Sequence, residues 1–144
     1  MATFEVNAAT KKSPEEVFAL LSDLTNATGW DPSVVAVERT EDGPLGVGAG
    51  FKVTLGLLGL EKALVYSIVE FEAPHRLVLQ SSTSFLVSTD TITVEAQQDG
   101  GSNVRYQATL DGQGLVQLAE PLLKAVITYF GSTAKPGLLN LLTK

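Results

Sequence analysis

A change of hydrophobic period at Gly114 constrains this chain more than any other feature. Upstream, SVVAVERT, FKVTLGLLGLE, ALVYSIVEFE, LVLQSS, TDTITVEAQ and NVRYQATL are short, β-branched or alternating, and separated by turn residues, so each reads as a strand. Downstream, Leu115, Leu118, Leu122, Ala125, Val126 and Tyr129 recur at helical spacing, and Val116, Leu123, Ile127 and Phe130 widen the stripe. Strands that follow one another with no helix between them pair as an antiparallel meander, because parallel neighbours need a long crossover. A long, unusually apolar helix must then bury itself against that sheet.

The N-terminal segment adds one strand and a helix. In TFEVNAAT, Phe4, Val6 and Ala8 alternate with polar residues. SPEEVFALLSD supplies a helix start, with Ser13 as N-cap, Pro14 at the first helical position and Glu16 closing a capping box. Val17, Leu20, Leu21 and Leu24 form its apolar stripe, and Gly29 and Pro32 punctuate the chain after it. Asp99-Gly100-Gly101 is the clearest hairpin turn. Within the last helix, Pro121 predicts a kink or restart near 120, and Pro136 a break near 135.

At 144 residues the chain is read as one domain, 1–144. Ten Lys and Arg against sixteen Asp and Glu give a net charge of -6, which repels a phosphate backbone, so no nucleic acid is expected as partner. With no cysteine and one histidine, neither a disulfide framework nor a thiolate or multi-histidine metal site is available. No cofactor and no metal are expected. The N-terminus lacks a basic start followed by an apolar run, and no apolar segment is long enough to span a bilayer, which reads as a cytoplasmic protein with no integral membrane segment.

GPLGVGAG, residues 43–50, resembles a phosphate-cradling loop at first sight. A dinucleotide fingerprint needs a buried strand before the glycines and a helix N-terminus after them. A charged turn precedes this stretch and a strand follows it, so the glycines are expected to permit a bend or bulge in a curved sheet.

The order of strand, short helices, six strands and long helix, together with several short stretches, carries a resemblance. These are Trp30-Asp31-Pro32, Gly43 to Gly48, Glu70 to Leu77, Asp90 to Val94 and Gly100 to Tyr106. The chain resembles the START-like superfamily, with its Bet v 1-like helix-grip fold, and within it the polyketide cyclase/dehydrase and lipid-transport-like branch. The resemblance implies an α+β fold, β-α-α-β6-α, in which a curved antiparallel sheet of about seven strands wraps around the C-terminal helix. It further implies a hydrophobic cavity between them. The interruption at Lys135-Pro136-Gly137 departs from the unbroken final helix of that fold.

Alternation places Phe4, Val6, Val53, Leu55, Tyr66, Ile68, Leu79, Ile92, Val94, Tyr106 and Ala108 on the inward face. Opposite them stand Leu118, Leu122, Val126 and Tyr129 of the helix, with Trp30 either covering a cavity mouth or plugging the core edge. By parity Asp90 follows Ile92 and Val94 inward, and Glu70 follows Tyr66 and Ile68. A carboxylate in an apolar cavity acquires a raised pKa and can act as an acid or base, with Tyr66 or Tyr106 polarising a carbonyl. The competing readings are a packed core and solvated strand ends, and a single bulge reverses the parity. His75, between Pro74 and Arg76, reads as a surface turn residue.

Three functions follow. The first is binding of a small hydrophobic molecule (lipid, polyketide or quinone-like). The second is a cyclase or dehydratase using Asp90, Glu70 and the tyrosines. The third is a protein-interaction module using an exposed apolar face.

Overall fold

The computed structural model describes all residues from Met1 to Lys144. Its elements run β1 (Ala2–Thr10), α1 (Pro14–Ser22), a 3-10 segment (Leu24–Gly29), β2 (Val34–Arg39), β3 (Gly50–Leu57), β4 (Leu60–Glu72), β5 (Arg76–Ser82), β6 (Leu86–Ala96) and β7 (Ser102–Gly112). A second 3-10 segment (Gly114–Ala119) and α2 (Glu120–Thr143) complete the chain. The strands form one antiparallel sheet in the order β1-β7-β6-β5-β4-β3-β2. From β2 onward each strand pairs with the next, and β7 then closes against β1. This is the helix-grip arrangement, with α2 lying against β1 and β7.

Local chemistry accounts for the boundaries. Ser13 caps α1 through its hydroxyl, which accepts from the amide of Glu16, and Pro14 occupies the first turn. Gly100 turns the β6–β7 connection at φ 87°, while Asp99 Oδ1 accepts from the Gly101 amide. In the glycine-rich stretch, Gly48 stands at φ 96° and donates its amide to the carbonyl of Ile68, and the Ile68 amide donates to the Ala49 carbonyl. These amides serve the sheet, and Phe51 continues a strand, so the stretch is a sheet connection.

Two expectations need correction. The chain restarts as α2 at Glu120, beside Pro121, yet no break follows near 135, because the helix runs on through Pro136 to Thr143. Proline removes one amide donor from the ladder without compelling the chain to stop. The gain that holds the last turns in place is burial: Leu138 and Leu142 are sealed in the main core.

The face of α2 turned to the sheet also differs from the expected stripe. Leu123, Ile127, Gly131, Leu138 and Leu142 are buried, whereas Leu118 and Leu122 are 82% and 63% exposed and Tyr129 also faces outward. Gly131 fixes the choice of face, since a Cβ there would lie 2.1 Å from the ring of Phe4. Gly137 is tighter still: a Cβ would stand 1.6 Å from the carbonyl oxygen of Trp30. Two glycines thus set how closely the helix approaches β1 and the segment after the first 3-10 turn.

The space between sheet and helix divides into a filled end and an open end. Ile68, Leu79, Ile92 and Val94 pack into one core cluster with Val17, Phe18 and Leu21 of α1 and Leu138 and Leu142 of α2. Phe18 meets Phe71 edge to face at 5.2 Å. Towards the other end nothing equivalent to α1 fills the interior.

Candidate functional site

That open end is a cavity of about 190 Å³, and 19 of its 24 lining residues are hydrophobic. Phe4 and Val6 from β1, Val53 and Leu55 from β3, Leu64 and Tyr66 from β4, and Tyr106, Ala108 and Leu110 from β7 form its sheet wall. Val126, Ile127, Phe130, Gly131, Ala134 and Leu138 of α2 form its floor. The 3-10 segment and the residues after it supply Leu24, Ala27, Trp30, Asp31, Ser33 and Val34. Small side chains at Ala108, Gly131 and Ala134 leave this space open, where larger ones would close it.

The polar groups of the cavity are Asp31, Ser33, Tyr66, Ser88, Asp90 and Tyr106. Tyr106 donates its hydroxyl to Asp90 Oδ2 at 2.5 Å, and Tyr66 shares a hydrogen bond of 2.9 Å with Ser88 Oγ. Trp30 stands edge to face with Tyr106 at 6.2 Å, so its ring backs this pair. Asp31 is held by a local turn, its Oδ1 accepting from the amide of Ser33 at 3.0 Å and from the Ser33 hydroxyl at 2.7 Å.

Burial dominates the electrostatics. Loss of hydration pushes the Asp90 carboxyl up from 3.8 to about 6, although the Tyr106 hydrogen bond favours its ionised form and pulls the other way; the nearby charge of Asp31 adds to the rise. Burial likewise raises Asp31 against the two bonds from Ser33. Tyr66 and Tyr106 are both pushed upward, first by burial and then by the Asp90 charge, so both remain hydroxyl donors throughout the neutral range. No Lys, Arg or His lines the cavity.

Of the residues singled out in the sequence, Phe4, Val6, Trp30, Val53, Leu55, Tyr66, Tyr106, Ala108 and Val126 stand on the cavity wall, and so does Asp90. Ile68, Leu79, Ile92 and Val94 face inward but belong to the filled end, because α1 covers their part of the sheet. Leu118, Leu122 and Tyr129 lie on the outer side of the C-terminal segment. Glu70 is exposed and pairs with Arg76 at 3.2 Å. The β4–β5 register shifts between Ile68 and Glu70, so Val69 is the extra residue of a bulge and every side chain after it changes face. That removes Glu70 from any acid-base role inside the cavity.

Ser88 and Leu64 were open to discovery by parity, two residues before Asp90 and Tyr66 respectively. Asp31 and Ser33 were not, since a loop has no period from which to read direction. His75 stands on the exposed turn, its Nδ1 3.1 Å from the Val94 carbonyl oxygen.

A curved antiparallel sheet gripping a C-terminal helix over an apolar cavity defines the START and Bet v 1-like class of proteins. The chain belongs, more narrowly, to the family described as polyketide cyclase / dehydrase and lipid transport, whose model matches residues 1–143. Among solved structures it is similar to the Zhui aromatase/cyclase from Streptomyces sp. R1128, with a TM-score of 0.77 and 10% identity over 96% of this chain and 91% of the other. A START superfamily protein from Mycobacterium smegmatis gives a TM-score of 0.76 at 10% identity, covering 99% and 97%. Ara h 8.0201 is 21% identical, with a TM-score of 0.64 and coverage of 96% and 97%. At these identities the likeness establishes the fold. No curated protein matches the sequence. No helix is long and apolar enough to cross a membrane.

Proposed function

We propose that the protein binds a small, largely apolar molecule in the cavity between sheet and α2. The observation that carries this reading is a partly open cavity of about 190 Å³ with a mostly apolar lining and its hydrogen-bonding groups gathered around Asp90 and Tyr106. The volume is about 190 Å³. That is below the roughly 300–1,000 Å³ typical of drug-sized sites, which favours a compact molecule over a two-chain lipid.

A neutral apolar fluorophore of suitable size, N-phenyl-1-naphthylamine, tests this directly. Its emission should rise and shift to the blue on mixing with the protein, and Ala108→Phe, which fills the space, should abolish the change while leaving the fold intact by circular dichroism. An unchanged signal in the Phe variant would place the dye elsewhere and remove the support for cavity binding.

One observation favours a second, enzymatic reading. A carboxyl titrating near 6 beside a tyrosine hydroxyl is suited to passing a proton to or from a carbonyl compound. On that reading Asp90→Asn loses turnover of a poly-carbonyl substrate while retaining its binding. Equal loss of both would leave binding alone as the role of Asp90.

A further inference from the structure

The polar wall of the cavity is lopsided in charge. It offers two carboxylates, Asp90 on β6 and Asp31 after the first 3-10 segment, and no cationic side chain anywhere on its lining. Their hydrogen bonding differs. Asp31 Oδ1 accepts two bonds from Ser33, whereas Asp90 accepts one, from Tyr106 to Oδ2. Asp90 Oδ1 and Asp31 Oδ2 are both without a protein donor, and neither is sealed among protein atoms; Asp90 is the one whose other oxygen is already held by a tyrosine hydroxyl on the cavity wall. A carboxylate oxygen without a donor in apolar surroundings is costly, and a ligand that supplies the donor recovers that cost.

We infer that the cavity selects ligands whose polar end donates hydrogen bonds to Asp90, a protonated amine above an alcohol, and that it rejects carboxylic acids. This rests on the proposed cavity binding and names the ligand class. A carboxylate ligand would bring a like charge next to Asp90 and Asp31 with no cation to offset it. An alcohol satisfies the vacant acceptor, and an ammonium group satisfies it while neutralising the local charge. The other titratable groups facing Asp90 are Tyr106 on β7 and Tyr66 on β4, both held as neutral hydroxyls, and Asp31; β1, β3 and α2 contribute only non-titratable side chains to the lining. The preference therefore depends on pH. Ionisation of Asp90 near pH 6 strengthens amine binding as pH rises.

The experiment uses 4-phenylbutylamine, 4-phenylbutan-1-ol and 4-phenylbutyrate, which share one apolar body, titrated into the full chain by calorimetry, with N-phenyl-1-naphthylamine as control. At pH 7.5 the amine should bind roughly 10-fold or more tightly than the butyrate, with the alcohol between them. Amine affinity should fall several-fold at pH 5, and Asp90→Asn should collapse the difference between amine and alcohol. Butyrate binding as tight as that of the amine, with the naphthylamine still bound, overturns the inference and leaves cavity binding standing. Failure of all four probes to bind overturns both. Should Asp90→Asn not fold, the pH series on the unaltered chain decides alone: amine affinity that is flat or falling between pH 5 and 7.5 refutes the role of Asp90.

Discussion

Asp90 shows how one side chain can weaken the fold at neutral pH while equipping its cavity. Its carboxyl is raised from 3.8 to about 6, so between those values the folded chain holds a proton that the unfolded chain has released. The associated stability is fully present below about pH 4 and is lost as pH rises through 6, by on the order of 1–3 kcal/mol in total. Asparagine cannot ionise but still offers an acceptor to Tyr106. Urea unfolding should therefore find Asp90→Asn more stable than the unaltered protein by ~1–3 kcal/mol at pH 7.5, and nearly equal to it at pH 4. A variant that is weaker at pH 7.5 would contradict the burial cost assigned to this carboxyl. Parity read from Ile92 and Val94 carried Asp90 to the inner face because β6 pairs with β7 without a register shift. The same reasoning misplaced Glu70, since the bulge at Val69 leaves no signature in residue type.

At the scale of the element, α2 is where sequence pattern and packing part company. Its sequence is apolar on more than one side, so periodicity identified a helix without identifying its buried face. The sheet accepted the side that carries Gly131, because only there can the backbone approach Phe4, and Gly137, on a neighbouring face, lets the helix approach the Trp30 carbonyl. Substitutions on the two faces should differ accordingly. Ile127→Ala, at a buried position, should cost about 2–5 kcal/mol, whereas Leu122→Ser, at a position 63% exposed, should change stability by about 0.5 kcal/mol or less. Gly137→Ala sets two effects against each other: alanine gains about 1 kcal/mol of helix propensity, but its methyl meets backbone that cannot rotate aside. Overpacking at about 1–3 kcal/mol should prevail, giving a net loss. Urea midpoints for the three variants check the ranking. A destabilised Leu122→Ser beside an unaffected Ile127→Ala would mean the helix is seated on its other face.

The whole molecule spends its core unevenly: α1 and the last turns of α2 pack solidly against one end of the sheet, and the other end stays hollow. An unfilled apolar space forgoes contacts that a ligand can restore. A molecule that binds the folded state alone should therefore raise stability by about 2.7 kcal/mol at one hundred times its Kd. For a chain of this size that corresponds to roughly 5–11 °C in Tm. A thermal scan with saturating N-phenyl-1-naphthylamine reads it, and an unmoved Tm despite confirmed saturation would mean that the dye binds the unfolded chain equally well.

The succession of strands along the chain, the capped first helix, the hairpin at Gly100 and the switch to a helical C-terminus follow from local rules: period, caps and turn residues act over a few positions and need no distant partner. The inward parity of Tyr66, Asp90 and Tyr106 was legible at that level, whereas the helix-grip fold was implied by the resemblance to the START-like superfamily. Tertiary structure decided the rest. Which inward-facing side chains line the cavity depended on where α1 lies across the sheet, and the outward position of Leu122 and Tyr129 depended on which face of α2 could come close. Glu70 was turned outward by a one-residue bulge, and Asp31 was brought to the cavity by a loop. Each of these outcomes rests on contacts between residues far apart in the chain, which no local pattern encodes.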